Sequence, residues 1–377
     1  MAQRILLTGL PNSFLARGIF HKLCEDPENE LSCLVPQPFV DQVRAWMNTL
    51  GHGLRQRVDL IVGDVAAMDF GLPGPKYLEL AARVHSIYHC PQVTQPGVER
   101  RIAEALNIDG TAEVLELGEA ARNLQRIVHF SSALVSGKRH GHVLESELIA
   151  PTHHTNIVEE TLFRAEHMVR DAMDHLPITV LRPSIVVGDS VTGAIERLEG
   201  PYLLILLMLS APTDLRVPLP GRGDVPLNLV PMDYVIEAGC AIAKDPRTAS
   251  GTFHLVDSNP LTARRVFELI AEQVGRPGPV GSLPAQVAAA LLRTPGLERF
   301  SHIPRAFLEQ LAMDVVFDDR NTREVLAGTG IRCPPASSYL KVMVEHVRRE
   351  QRTRSEAGST SSPRHHEEPD DPLETRV

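Results

Sequence analysis

Lysine and tyrosine are scarce in this chain of 377 residues, with five of each against 33 arginines. The scarcity bears on chemistry, because several enzyme mechanisms need one Tyr and one Lys at a fixed spacing on a helix. Long apolar runs are also lacking. The longest, residues 203–209, falls far short of the ~20 residues that cross a bilayer. No basic segment followed by an apolar stretch precedes the first strand-like pattern, so no signal peptide is expected. The five cysteines are scattered, odd in number and without a CxxC pair. That pattern suits reduced thiols in a cytoplasmic protein better than a disulfide framework or a zinc site. Basic blocks are missing too. With 38 Lys and Arg against 47 Asp and Glu, the formal net charge of −9 argues against a nucleic-acid partner. What is present is an ordinary globular composition, 43% apolar and 23% charged, long enough to bury a substantial core.

Short apolar runs alternate with helical periods through the first half. Strands are expected at residues 4–8, 31–35, 58–62, 84–88, 126–130 and 178–182, and helices at 13–24, 40–50, 102–123 and 155–174. Strands separated by helices of this length predict a parallel sheet covered on both faces, an α/β, doubly wound Rossmann-type sheet. After Gly188 the pattern changes to glycine, proline and long loops, with later helical stretches at 233–243, 262–274, 284–292 and 303–313. The expected organisation is a Rossmann domain over 1–190, a smaller mixed C-terminal cap over 191–351 with some segments able to return to the sheet, and a disordered tail over 352–377.

The turn after the first strand reads Thr8-Gly9-Leu10-Pro11-Asn12-Ser13-Phe14-Leu15-Ala16. A glycine turn between strand and helix lets backbone N–H groups meet a pyrophosphate at the positive helix N-terminus. Gly9 is the first glycine of such a turn. Asn12 and Ser13 stand where a second is expected, Ala16 where a third would pack, and one residue is inserted. An ordinary turn capped by Asn12 or Ser13 is the alternative.

Several segments, taken in order, carry a resemblance. They are Gly63-Asp64-Val65, Asn107-Ile108-Asp109-Gly110-Thr111, the run His129-Phe130-Ser131-Ser132-Ala133, and Leu181-Arg182-Pro183-Ser184. Asn228-Leu229-Val230-Pro231-Met232-Asp233-Tyr234-Val235 and Phe253-His254-Leu255-Val256-Asp257 complete the set. Over roughly residues 3–275 the chain resembles an extended short-chain dehydrogenase/reductase of the male-sterility type, the fold of fatty-acyl and carrier-bound thioester reductases. The resemblance implies an NAD(P) cofactor. It places Thr8, Gly9, Asn12, Ser13, Phe14 and Leu15 at the pyrophosphate turn, and Asp64 with Val65 at the adenine. His89 falls at the end of the fourth strand, Pro183 and Ser184 beside the nicotinamide, and Asn107 as a brace for the active-site helix. Ser132 takes the place of the hydroxyl that orients a substrate carbonyl.

The same resemblance exposes a loss. The family's proton-transferring tyrosine and the lysine one helical turn later belong in Asn156-Ile157-Val158-Glu159-Glu160-Thr161-Leu162-Phe163-Arg164-Ala165-Glu166. Val158 occupies the tyrosine position and Leu162 the lysine position, and no Tyr-x-x-x-Lys occurs anywhere in the chain. The fourth strand ends His89-Cys90-Pro91-Gln92, where smaller residues would leave room for a cofactor. The second ends Leu34-Val35-Pro36-Gln37, with no acid for a ribose 2′-hydroxyl and no arginine for a 2′-phosphate. NAD and NADP are therefore not distinguished, and the expected dinucleotide affinity is reduced.

Histidines are the obvious substitute acids. His153 and His154 precede the degenerate helix and His140 and His142 follow Ser132; solvated loop positions are the expectation, and no third ligand completes a metal site. The segment between Pro201 and Pro212 reads either as a core helix or as the wall of an acyl-chain channel. The functional expectation is a catalytically impaired NAD(P)-fold protein with a dinucleotide and an acyl-type small molecule as candidate ligands. An active thioester reductase with a substitute donor and a nucleotide-sugar epimerase or dehydratase are the alternatives. Oligomeric state is not legible in the sequence.

Overall fold

Alternation along the first strand sets the architecture. In β1 (Gln3–Leu7), Ile5 and Leu7 enter one core cluster while Leu6 enters the cluster on the opposite face, as a two-residue side-chain period requires. The computed structural model describes residues 3–90, 93, 97–151, 154, 156–210, 219–220, 223–283, 311 and 313–360. Six further strands join β1 in one parallel sheet: β2 (Asn29–Val35), β3 (Val58–Val62), β4 (Ser86–His89), β5 (Arg126–Phe130), β7 (Ile178–Pro183) and β11 (Gly251–Leu255). Their spatial order is β11-β7-β5-β4-β1-β2-β3. The order reverses between β1 and β4, which opens a crevice at the carboxyl ends of those two strands.

On one face, α1 (Phe14–Cys24), α2 (Val40–Asn48) and α9 (Met232–Lys244) pack over Leu7, Cys33, Val35 and Val128. Helices α1 and α9 approach closely at Gly18, where an added Cβ would collide with Ile236 Cδ1. The short α3 (His52–Arg55) leads into β3. On the other face lie α4 (Gly74–Arg83), α6 (Gly110–Ala120) and α7 (Ile157–Ala172), burying Leu6, Ile87, Ile127 and Val180. The helix expected over 102–123 is divided: α5 (Arg100–Glu104) passes through a π-turn at Ala105–Asp109 before α6 begins. Such turns concentrate at functional sites.

Beyond the sheet, α8 (Pro201–Ser210), α10 (Ala263–Val274) and α12 (Ala336–Thr360) share a second apolar core around Tyr202, Ile205, Phe267 and Met343. Three small parallel pairs stand apart from the main sheet among the described residues. β8 (Ile185–Val187) pairs with β10 (Leu229–Pro231), β9 (Leu219–Pro220) with β12 (Ser282–Leu283), and β6 (Gly141–Val143) with β13 (Val315–Phe317). The α11 helix (Arg320–Leu326) follows β13.

α9 and the edge strand β11 come from beyond residue 190, where the expected organisation left segments free to return to the sheet. A parallel edge strand needs a long crossover, and residues 184–250 supply it. The tail expected to be disordered from 352 is helical as far as Thr360. Arg, Gln, Glu and Ala dominate residues 350–357, and these good helix formers extend a helix already anchored by its packed first turns. Residues 361–377 and the helix expected at 284–292 lie outside the described residues, as does nearly all of 303–313.

Candidate functional site

The turn leaving β1 lines one side of the crevice. Gly9 has φ +101°, and a Cβ there would sit 3.0 Å from Cys90 Cβ at the end of β4. Only glycine suits both demands. Ser13 closes the turn with its N–H on the Gly9 carbonyl at 2.8 Å, and its Oγ caps α1 by accepting the Ala16 N–H at 3.3 Å. The sequence alternative of a capped turn is therefore present in the geometry, with Ser13 as the cap. Among the described residues, the amides of Asn12, Phe14 and Leu15 make no hydrogen bond, so they are open to an acceptor at the positive end of α1.

Thr8 and His89, expected beside the cofactor, turn instead toward one another. Thr111 Oγ1 donates to the Asn107 carbonyl at 2.6 Å and so accepts from His89 Nε2 at 3.2 Å. His89 Nδ1 is then left to accept the Thr8 hydroxyl at 2.8 Å. His89 stacks on His129 at 5.4 Å, and burial followed by that neighbour pushes its pKa down to about 3. The ring is neutral and serves the link between β1, β4 and α6.

Across the sheet, the loop after β3 presents Asp64 to solvent and buries Val65 against Gly110. One Asp64 oxygen accepts the Ala66 N–H at 3.0 Å, and the Asp64 N–H donates to the Phe70 carbonyl at 2.9 Å. Asp69 and Phe70 both lie in the left-handed region, at φ 51° and 57°, a strained choice for residues with a Cβ. The Glu113 carboxylate on α6 holds that turn by accepting the Asp69 N–H at 2.8 Å, and burial raises its pKa. Sequence reasoning missed Glu113 because nothing in the chain marks Asp69 and Phe70 as left-handed.

The other side of the crevice is α7. Asn156 caps it by accepting the Glu159 N–H at 3.0 Å. Val158, Leu162 and Glu166 follow at four-residue intervals on one helix face. Val158 and Leu162 are 4% and 6% exposed, packed with Val93, Ala103, Val135 and Phe163 in an apolar cluster. Asn107 braces this helix from the π-turn, its Nδ2 donating to Thr161 Oγ1 and to the Val93 carbonyl, each at 3.1 Å. The Asn107 Oδ1 is buried without a partner among the described residues. Ser132 follows β5 by two residues, in extended backbone, and is partly exposed. Its Oγ accepts the Leu134 N–H at 3.1 Å, and among the described residues no ionisable side chain bonds to it.

The family model for male sterility proteins, an NAD-binding domain, matches residues 13–239. The chain belongs to the male sterility family. It is 26% identical over 235 residues to the fatty acyl-CoA reductase wat of Drosophila melanogaster, covering 55% of this chain and 45% of that protein. It is 26% identical over 286 residues to the glycine betaine reductase ATRR of Emericella nidulans, covering 71% of this chain and 22% of that one. The chain thus spans less than half the length of these curated relatives. The crystal structure of the terminal R domain from the myxalamid PKS-NRPS biosynthetic pathway superposes with a TM-score of 0.79 at 23% identity, covering 93% of this chain and 91% of that chain.

Behind Ser132 this male sterility protein carries a buried ionic cluster that sequence reasoning did not find. Glu166, fully buried, accepts both Arg182 Nε (3.0 and 2.9 Å) and Nη2 (2.5 Å), Arg170 Nε at 3.0 Å, and the Ser131 hydroxyl at 2.6 Å. Burial alone would raise its carboxyl, but Arg182, Arg170 and Ser131 together hold it below the usual range. His254 Nε2 accepts from Arg182 at 3.3 Å and Nδ1–H donates to the Asp318 carbonyl at 2.6 Å. Burial and Arg182 push His254 down to about 4. The signal available was Glu166 itself, eight residues after Val158 on the face that meets the sheet.

Pro183 closes β7, and Ser184, expected beside the nicotinamide, donates its hydroxyl to Asn228 Oδ1 at 2.8 Å. Asn228 also bridges to both backbone groups of Asp257 at 2.9 Å. The site-flanking ends of β7, β10 and β11 are tied by this trio. His140 and His142 are exposed, His153 lies outside the described residues, and His154 packs its ring 5.3 Å from Phe163. Among the described residues no group of three His, Cys, Asp or Glu side chains is placed to hold a metal ion, and no helix is long and apolar enough to cross a membrane.

Proposed function

We propose that this chain is a nucleotide-binding member of the male sterility family in which hydride-transfer chemistry has been lost. One observation carries the reading: Val158 and Leu162 are sealed in an apolar cluster at the positions of the proton-transferring tyrosine and its lysine. Neither side chain moves a proton or holds a ribose hydroxyl.

A nicotinamide dinucleotide, the cofactor to which the family points, suits the residues at one end only. Gly9, the open amides of Asn12, Phe14 and Leu15, and the exposed Asp64 suit a diphosphate and an adenosine. Pro183 offers no donor, and Ser184 is engaged by Asn228. A bound dinucleotide would contribute the hydride. This chain's part would be to orient a carbonyl at Ser132 and protonate its oxygen, and the second part has no group at 158 to perform it. The name of one relative, a fatty acyl-CoA reductase, points to an acyl thioester as a substrate class. A nucleotide-sugar epimerase meets the same objection.

One observation favours a second reading, an active reductase with a substitute acid. Among the described residues His154 Nδ1 is buried without a partner, and the ring sits 5.3 Å from that of Phe163 on α7. Burial lowers the pKa of that imidazole, so it stays neutral at neutral pH and is a weak choice for a proton donor. The two readings separate on variants. With Val158→Tyr and Leu162→Lys installed together, NAD(P)H oxidation with acyl-CoA is expected to emerge and to require Ser132. Wild-type turnover that His154→Ala abolishes would establish the second reading instead.

A further inference from the structure

The two ends of the crevice make unequal offers to a ligand. At the Gly9 end the turn packs directly against Cys90, and among the described residues three main-chain amides, those of Asn12, Phe14 and Leu15, make no hydrogen bond. Asp64 faces solvent there on a loop whose shape is fixed by left-handed Asp69 and Phe70 and by Glu113. At the α7 end Val158, Leu162, Val93, Val135 and Phe163 form one apolar cluster. Of the polar groups nearest to them, Thr161 donates to the Val158 carbonyl at 3.0 Å and Asn107 Nδ2 is shared between Thr161 and Val93, while Asn107 Oδ1, itself buried, is left without a partner among the described residues.

We infer that this crevice recognises the adenosine 5′-diphosphate moiety of its ligand and gains nothing from a nicotinamide riboside. The inference rests on the reading above and narrows it. A ribose that leaves water must recover hydrogen bonds for its hydroxyls, and a wall of Val and Leu returns none. In a complete site, the two or three bonds to that ribose, one of them from an ammonium, would separate dinucleotide from ADP by about 100-fold or more. Here that discrimination collapses. Dinucleotides, ADP-ribose and coenzyme A thioesters all carry the same adenosine diphosphate, so the ligand class is defined by that shared part.

Titration calorimetry of the full chain with ADP, ADP-ribose, coenzyme A, NADH and NADPH tests this directly. ADP and the better of the two dinucleotides are expected to bind within about threefold of each other. Asp64→Ala is expected to weaken both by the same factor, because both use the same end. Coenzyme A binding more tightly than ADP supports the inference and identifies the source, since it carries no nicotinamide riboside, whereas ADP-ribose binding much more tightly than ADP overturns it, because the second ribose would then be gaining bonds. NADH or NADPH binding about 30-fold tighter than ADP overturns the inference while leaving a dinucleotide-binding protein. Equal affinities that Asp64→Ala does not change overturn it as well, by removing the moiety from this crevice. No binding by any of the five overturns the nucleotide reading itself.

Discussion

Glu166 shows how a single residue can be part of a site without touching a ligand. It sits one turn beyond Leu162 and gathers Arg182, Arg170 and the Ser131 hydroxyl, so the segment that leads from β5 to Ser132 is held from behind. A buried pair is costly to break because the partner is left as an uncompensated charge. Glu166→Gln keeps the shape and leaves Arg182 unneutralised, so it is expected to lower stability by about 3–5 kcal/mol in urea unfolding. Glu160→Gln on the same helix serves as the contrast. Glu160 pairs with the exposed Arg100, and the urea midpoint is expected to stay where it is. Equal effects of the two substitutions would show that the buried cluster does not anchor α7.

At the scale of elements, the sheet was largely legible and its closure was not. β3 and β5 occupy the residues that alternation and β-branched content marked, and Ser13 caps α1 where a polar residue precedes the apolar period. The edge strand β11 passed unread because Gly251–Leu255 carries Thr and His on faces that turn out to be buried. α4 opens on Gly74-Pro75, which reads as a turn, although Pro is well placed in the first turn of a helix. α12 has its apolar residues at 339, 340, 343, 344 and 347, a helical stripe that the surrounding charge obscured. Least visible was Glu145, whose carboxylate accepts the N–H groups of His254 (2.9 Å), Asn321 (2.6 Å) and Thr322 (3.1 Å). It joins the segment after Ser132 to β11 and α11, three stretches far apart in sequence. Glu145→Ala is expected to cost about 3 kcal/mol and to speed hydrogen exchange at Asn321 and Thr322 ahead of the sheet core. Unchanged exchange at those two amides would show that β13 alone secures α11.

The molecule as a whole combines a male sterility fold with a row of neutral buried histidines crossing its sheet. His89, His129 and His254 ionise at 6.5 when unfolded, and burial holds them near 3, 4 and 4 when folded. A depressed folded value means that the unfolded chain takes up protons first. Stability from these residues is therefore complete above about pH 6.5 and lost as pH falls toward 4, with a limiting slope of roughly 4 kcal/mol per pH unit for three protons. Glu145 and Asp257, raised by burial, oppose that slope, and Glu166, held low, adds to it below the ordinary carboxylate range. Urea unfolding at pH 8, 6.5 and 5 is expected to give a plateau and then a fall; a rise on acidification would contradict the neutral assignment.

Lysine and tyrosine scarcity acquires its meaning at this scale. Tyr202 bridges Gly188 and Gly193, and Tyr339 donates to the Leu229 carbonyl, so two of the five tyrosines hold the cap together. We propose that the chain keeps the fold and does no hydride transfer, because Val158 and Leu162 stand where the resemblance implies a tyrosine and a lysine. Oxidation of NADH and NADPH by the wild-type chain, followed by reduced-nicotinamide fluorescence with long-chain acyl-CoA as acceptor, puts that claim to its most direct test. The expected trace is flat, with wild type and Ser132→Ala indistinguishable from each other and from buffer. Turnover by wild type that Ser132→Ala abolishes would mean that the site still works, and that its acid had been sought in the wrong place.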